Sequence, residues 1–304
     1  MSGNELTYIK EVFKDNWIAP IGPHVNKFED SVKKYVDCKH AIAVSSGTAA
    51  IHLGLLALGV KKDDNVLCSS LTFAGTVNPI KYIGANPIYI DSEPIHWNMD
   101  PELLELAILK SPKKPKAILL VHLFGVPCNM TVIKKIADEH NIPILEDAAE
   151  SLGSLHKGKH TGTIGDIGIY SFNGNKLLTT SSGGMVVTNS DEYADKIRLL
   201  SNQAKEDLPY YWHKEIGYNY RLSNVLSAIG VAQMEVIEDR IKRTREINKI
   251  YRQELKDYTE EHIGEFQNEM NGDRSNMWLT TMFLHKEYHP VDLINFLEIN
   301  NIES

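Results

Sequence analysis

Hydrophobic and polar positions along the chain change period several times, and each change predicts an element. Leu6, Ile9, Val12 and Phe13 recur at helical spacing, and Val25, Phe28, Val32 and Tyr35 do so again. Pro20, Gly22 and Pro23 punctuate the loop between them. From residue 41 short apolar runs alternate with helical segments. Strands are predicted over 41–45, 65–68, 86–90, 116–123 and 142–145, and helices over 49–58, 73–83, 101–109 and 131–140. Asp100 is placed to cap the third of these helices. Such alternation implies a mainly parallel sheet covered on both faces, with ligands at the carboxyl ends of its strands.

Two further apolar strands, 167–172 and 185–188, precede a helix over 191–200. Residues 202–220 are polar and aromatic without clean periodicity. From Ser223 onward Ala228, Val231, Met234, Ile237, Ile241 and Ile250 form one apolar stripe, predicting a long helix that leaves the first domain for a second. A strand over 278–284 and a helix over 291–299 complete the pattern. The expected domains are therefore 1–235 and 236–304, the second too short for a convincing independent core and read as incomplete.

Composition narrows the function classes. The 304 residues are 42% hydrophobic and 24% charged, an ordinary globular balance. The formal net charge of −8 argues against a nucleic-acid or membrane-surface role. Cys38, Cys68 and Cys128 are few and widely spaced, which suggests reduced thiols in a cytoplasmic protein rather than a disulfide framework or a cysteine metal site. The amphipathic first segment has no apolar signal core, and no run approaches membrane-spanning length.

Five constellations can carry chemistry. Lys176 sits on an Asn/Gly-rich turn between two buried strands, where its amine can be desolvated and form a Schiff base with a carbonyl; a surface lysine in a hairpin loop is the plainer explanation. The run Ser45-Ser46-Gly47-Thr48-Ala49-Ala50 lies at a strand-to-helix junction whose free N–H groups suit a phosphate, or simply cap a helix. Glu146 and Asp147 end an apolar strand, where a carboxylate needs a cationic partner such as a protonated ring nitrogen; a helix cap or a metal ligand is the alternative, the metal weakened by the lack of a histidine at ligand spacing. Phe73 follows another strand end and can stack on a flat ligand or join the core. The loop from His213 to Asn224 is dense in Tyr, Asn and Arg, as sites, interfaces and solvated loops all are. Together, a phosphate cradle, a carboxylate, a stacking aromatic and an amine are what pyridoxal phosphate needs from a protein.

In order along the chain, S-S-G-T-A-A-I-H-L, S-L-T-F-A-G-T-V-N, H-L-F-G-V-P, L-E-D-A-A-E-S-L-G, Y-S-F-N-G-N-K and G-Y-N-Y-R-L-S-N resemble the motifs of the DegT/DnrJ/StrS family of pyridoxal-phosphate-dependent nucleotide-sugar aminotransferases. The resemblance implies an α/β fold of the aspartate-aminotransferase type: a large domain with a mainly parallel sheet between helices, a smaller C-terminal α+β domain, and a homodimer with shared active sites. It makes Lys176 the lysine that carries the cofactor covalently and Asp147 the acid at the pyridine nitrogen. Thr48, Ala49 and Ser171 become phosphate contacts, Phe73 the ring-stacking aromatic, and Asn219 a phosphate contact offered to the neighbouring subunit. His213 and Arg221 are assigned to substrate, and no metal is expected. The implied substrates are L-glutamate and a UDP- or dTDP-linked 4-keto-6-deoxy sugar, giving a 4-amino-4,6-dideoxy sugar nucleotide for surface glycans.

Four features depart from the family pattern. Glu150 stands where many relatives have Gln, near the cofactor's phenolic oxygen, and is expected to tune the site. Ser181-Ser182-Gly183-Gly184 replaces the common G-E-G-G. The segment 201–207, with the following Tyr-Tyr-Trp-His, is similar to a subgroup making 4-amino-4,6-dideoxy sugars. The sequence ends where relatives continue with an Arg/Pro-rich segment that shapes the substrate site, which leaves a non-catalytic or regulatory relative as one alternative. A sugar dehydratase of the same family is another, disfavoured because those relatives replace the lysine that Lys176 retains. A nicotinamide oxidoreductase would need a glycine fingerprint after the first strand, and none is present.

Overall fold

The computed structural model describes residues 1–261 and 263–304. Its centre is a seven-stranded sheet built from β1 (His40–Val44), β2 (Asn65–Ser69), β3 (Asn86–Ile90), β4 (Ala117–Val121), β5 (Ile144–Asp147), β8 (Ile167–Ser171) and β9 (Gly184–Thr188). A small hairpin of β6 (Leu155–His156) and β7 (Lys159–His160) interrupts the chain order. The sheet order is β1-β9-β8-β5-β4-β2-β3, parallel throughout except that β9 runs against both its neighbours.

The expected α/β architecture is thus present, and strand alternation builds its layers. Ile42, Val44, Leu119, Leu145, Ile169 and Val186 face α3 (Gly47–Ala57), α4 (Ala74–Tyr82) and α7 (Asp191–Ser201). On the other face, Leu67, Ile118, Leu120 and Ile144 pack under α5 (Pro101–Lys110) and α6 (Met130–His140). Ala41, Ala43, Tyr170, Met185 and Val187 pack there beneath α2 (Pro23–Val36) and α8 (Asn224–Met234). The first helix, α1 (Glu5–Lys14), lies against α8. Short polar residues begin the helices as their chemistry dictates: Ser46, Asp100, Asn129, Ser190 and Ser223 each accept a first-turn N–H.

Two expectations are corrected. The long helix after Ser223 is broken, because Val236 leaves helical geometry (φ −120°, ψ 16°) between α8 and α9 (Ile237–Glu254). The strand expected over 278–284 forms only at its end, as β11 (Met282–Leu284) paired with β10 (Gly264–Phe266). Just before it, Ser275, Asn276 and Met277 are buried, with Ser275 Oγ donating to the Gly125 carbonyl and Asn276 Nδ2 to those of Glu150 and Leu152. The short α10 (Lys256–Glu260) and the terminal α11 (Pro290–Ile299) complete the chain, and α11 buries no side chain. Among the described residues no helix is long and apolar enough to cross a membrane.

Candidate active site

The carboxyl ends of β1, β4, β5 and β8 open on a cavity of about 310 Å³. Gly47, Thr48, Phe73, Asp147, Glu150, Ser171 and Lys176 all line it. Four segments distant in sequence therefore converge where a parallel sheet places its ligands.

At one end, α3 begins directly after β1. Helix starts leave their first N–H groups without helical partners. Ser46 Oγ takes that of Ala49 at 3.0 Å. Among the described residues no protein group accepts from the N–H of Gly47 or Thr48. Ser171 closes this end: a Cβ at Gly47 would meet its Cβ at 3.0 Å and its Oγ at 3.2 Å. Gly184 is required for the same close approach, because a Cβ there would come within 2.4 Å of the Ser46 carbonyl oxygen. The Ser-Ser-Gly-Gly departure has a further structural use. Ser182 lines the cavity, and its hydroxyl donates to the Ser45 carbonyl at 2.9 Å, tying the β8–β9 connection to the α3 turn.

Asp147 lies deep in the wall, 3% exposed. Its Oδ2 accepts from the Thr76 hydroxyl at 2.6 Å and its Oδ1 from the Ala149 N–H at 3.1 Å. Burial pushes its carboxyl above the usual range, while Thr76, Ala149 and the Lys176 charge pull it down. Glu146, next in line, points to the opposite face, as alternation along a strand requires. It is fully buried, and accepts from the backbone N–H groups of Gly162 at 2.8 Å and Ile164 at 2.7 Å, from that of Gly165, and from His122 Nε2 at 2.9 Å. The paired acids thus divide: Asp147 belongs to the cavity and Glu146 to the scaffold.

Lys176 lies in the connection from β8 to β9, which spans residues 172–183. Its Nζ lies 3.3 Å from Glu150 Oε1 and 4.0 Å from the centre of the Trp278 ring. Glu150 Oε2 accepts the Phe124 N–H at 2.8 Å. Phe73 is 76% exposed at the mouth, so its ring is a cavity wall and not core.

The remaining expected residues lie elsewhere. Ala49 is buried and outside the lining, its N–H committed to Ser46. Asn219 is exposed and bridges Asn202 away from the cavity. His213 is exposed with Nδ1 2.9 Å from the Gln203 carbonyl, and Arg221 bridges Val44 beside β1; neither lines the cavity. The loop they share is anchored by aromatic packing, with Tyr218 stacked on Tyr220 at 5.1 Å and both against His52 of α3. Burial lowers the His52 ring's proton affinity. Sequence reasoning missed Thr76, Asn175 and Trp278 in the lining. The aromatic at 278 gave no signal, because its segment read as a strand.

The arrangement fits pyridoxal phosphate on its own chemistry. Two uncommitted N–H groups suit the phosphate, a buried carboxylate that forms no ion pair among the described residues suits a protonated ring nitrogen, and the amine stands within the same cavity. Fold and site together define a pyridoxal-phosphate-dependent enzyme. The whole chain, residues 1–304, matches the DegT/DnrJ/EryC1/StrS aminotransferase family, and the protein belongs to it. It is 47% identical to EpsN of Bacillus subtilis (strain 168), provisionally named a pyridoxal phosphate-dependent aminotransferase, over 100% of this chain and 78% of EpsN. It is 42% identical to the GDP-perosamine synthase of Escherichia coli O157:H7, over 86% of this chain and 71% of that enzyme. Among solved structures, a DegT DnrJ EryC1 StrS aminotransferase from Brucella abortus superposes with a TM-score of 0.91 at 29% identity, covering 99% of this chain and 79% of that one.

Proposed function

We propose that the protein moves an amino group from L-glutamate to C4 of a nucleotide-linked 4-keto-6-deoxy sugar, giving a 4-amino-4,6-dideoxy sugar nucleotide for surface glycan synthesis in the cytoplasm. The observation that carries this reading is the single cavity joining Lys176, Asp147 and the α3 N-terminus. Bound pyridoxal phosphate supplies a carbonyl that takes up amines and a ring that accepts electrons from the adjoining carbon.

Each residue then has a definite task. Gly47 and Thr48 N–H groups and Ser171 hold the phosphate. Phe73 covers the ring. Asp147, its charge fixed by Thr76 and Ala149, keeps the ring nitrogen protonated. Lys176 carries the cofactor between turnovers and, once released, moves the proton between the donor's α-carbon and the cofactor. Such positioned proton transfer is worth about 10²–10⁴-fold. Glu150 keeps the released amine inside the cavity.

The exposed position of Asn219 supports a shared site: Asn219 of the partner subunit reaches the phosphate in a homodimer, and His213 and Arg221 meet the sugar nucleotide across the same interface. Residues 236–304 form the smaller domain, beginning at the break between α8 and α9. UDP and dTDP are the expected nucleotides, and the resemblance to a GDP-perosamine synthase adds GDP to the panel to be tried.

The absorption spectrum of the purified protein tests the reading. A near-visible band that shifts on adding L-glutamate, and returns on adding one of a panel of UDP-, dTDP- and GDP-linked 4-keto-6-deoxy sugars, is the expected result. A protein that binds pyridoxal phosphate without either shift would overturn it.

A further inference from the structure

Among the described residues that line the cavity, Trp278 alone comes from beyond residue 235. Its placement is determined at three points. The indole N–H donates to the Asn175 carbonyl at 2.9 Å, one residue before Lys176. The Trp278 N–H donates to Asn276 Oδ1 at 2.9 Å. Asn276 is itself fully buried, and its Nδ2 donates to the carbonyls of Glu150 at 2.9 Å and Leu152 at 3.0 Å. One side chain thus ties the backbone of Glu150 to that of Trp278. Gly125 makes room for it, since a Cβ there would come within 2.0 Å of Asn276 Oδ1. The result is an indole whose edge is anchored and whose ring lies 4.0 Å from the Lys176 amine.

That position has a chemical meaning, resting on the amino-transfer reading above. The nitrogen delivered to the sugar would take the place on the cofactor that the Lys176 nitrogen takes between turnovers. A group packed against the Lys176 amine would then lie near the sugar carbon bonded to that nitrogen. A fixed aromatic face beside that carbon matches the apolar C–H edge and methyl group of a 6-deoxyhexose, and offers no hydrogen bond to a 6-hydroxyl, because its N–H is already committed.

We propose that Trp278 is the platform on which the hexose ring of the acceptor packs, and that it contributes to selecting a 6-deoxy sugar. Asn276 is its positioning residue.

The test compares three ligands on the cofactor-loaded protein and its Trp278→Ala and Trp278→Phe variants: a nucleotide-linked 4-amino-4,6-dideoxyhexose, the matching bare nucleoside diphosphate, and L-glutamate. In Trp278→Ala, calorimetric affinity for the sugar nucleotide is expected to fall about five- to fiftyfold, with the bare nucleotide changed less than about twofold. The rate of the glutamate half-reaction is expected to fall less than about threefold. An equal loss for both nucleotides, or a glutamate half-reaction slowed as much as sugar binding is weakened, would overturn the platform. The Trp278→Phe variant serves as a second arm should the alanine variant not fold. It is expected to bind the sugar nucleotide within about threefold of wild type while losing the tryptophan emission change seen on binding. Persistence of that change assigns it to another tryptophan and rejects Trp278. A wild-type protein that transfers no amino group to any sugar nucleotide refutes the underlying reading instead.

Discussion

The Lys176 amine lies 3.3 Å from one carboxylate oxygen of Glu150, and the other oxygen of the same carboxylate accepts the Phe124 N–H at 2.8 Å. Among the described residues that N–H, at φ 55° inside a tight turn, has no other acceptor. Glu150 is therefore both a neighbour of the reactive amine and a support for the loop after β4. The two roles separate by substitution. Glu150→Gln keeps an acceptor for Phe124 and removes the charge, so kcat/KM is expected to change by no more than about tenfold with the fold intact. Glu150→Ala leaves the Phe124 N–H without its partner, costing about 1–3 kcal/mol and lowering Tm by roughly 2–6 °C. Steady-state kinetics beside thermal unfolding distinguish the two. A hundredfold loss in the glutamine variant would show that the charge itself is indispensable.

Lys176 carries the heaviest chemical assignment. Replacement by alanine removes both the covalent attachment and the proton carrier. Turnover is expected to fall by at least about 10²–10⁴-fold from the proton transfer alone, with the protein still folded. Single-turnover absorbance with L-glutamate checks this, and a variant with wild-type rates would strip the lysine of its role.

Asp147 links the site to stability. Its folded-state affinity for a proton is raised by burial, so relative to the unfolded chain folding of the cofactor-free protein favours its neutral form. The stability it contributes is full below the unfolded carboxyl's range and is lost as pH rises through the raised folded value. At neutral pH a buried charge then waits for a cation. Asp147→Asn is expected to raise the cofactor-free Tm at pH 7 by roughly 2 °C, a gain that vanishes below about pH 4. The same variant is expected to lose most of its turnover, since the ring nitrogen has lost its counter-charge. Melting curves from pH 4 to 8 with and without pyridoxal phosphate test the sign. A cofactor-free variant less stable than wild type at pH 7 contradicts it.

How much of this was legible in sequence depends on the range of the interaction. The strand at 117–121 is five buried residues, A-I-L-L-V, and its apolar run is the signal itself. Lys176, Asp147, Ser171 and Phe73 follow from motifs that are local in sequence, and the fold gathers them into one cavity. The helix break at Val236 carries no Pro or Gly, so helical periodicity runs straight across it. Trp278 was hidden for a different reason. Its surroundings are set by Asn276, whose partners Glu150 and Leu152 lie more than a hundred residues away. The roles of Glu146 and Asp147 are separable from sequence alone. Strand alternation sends consecutive side chains to opposite faces, so only one of the two can serve a given cavity.

That division yields the sharpest contrast between scaffold and chemistry. Glu146 is fully buried, and its two oxygens collect three backbone N–H groups together with His122 Nε2. His122 Nδ1 accepts the Cys128 N–H at 3.0 Å, so the ring hydrogen belongs to Nε2 and is donated to the carboxylate. Every neighbour of Glu146 is thus a donor. Glu146→Gln would turn an NH₂ group toward donors that have no other acceptor, at a cost of about 3–5 kcal/mol and a Tm loss of roughly 6–10 °C. Because Glu146 lies outside the cavity lining, kcat per folded site is expected to stay within about threefold of wild type. The neighbouring Asp147→Asn does the reverse, sparing Tm and removing turnover. Thermal unfolding and active-site-normalised kinetics on the two variants together decide the matter. An unchanged Tm in Glu146→Gln, or a kcat loss there as large as in Asp147→Asn, would show that the strand does not separate structure from chemistry in this way.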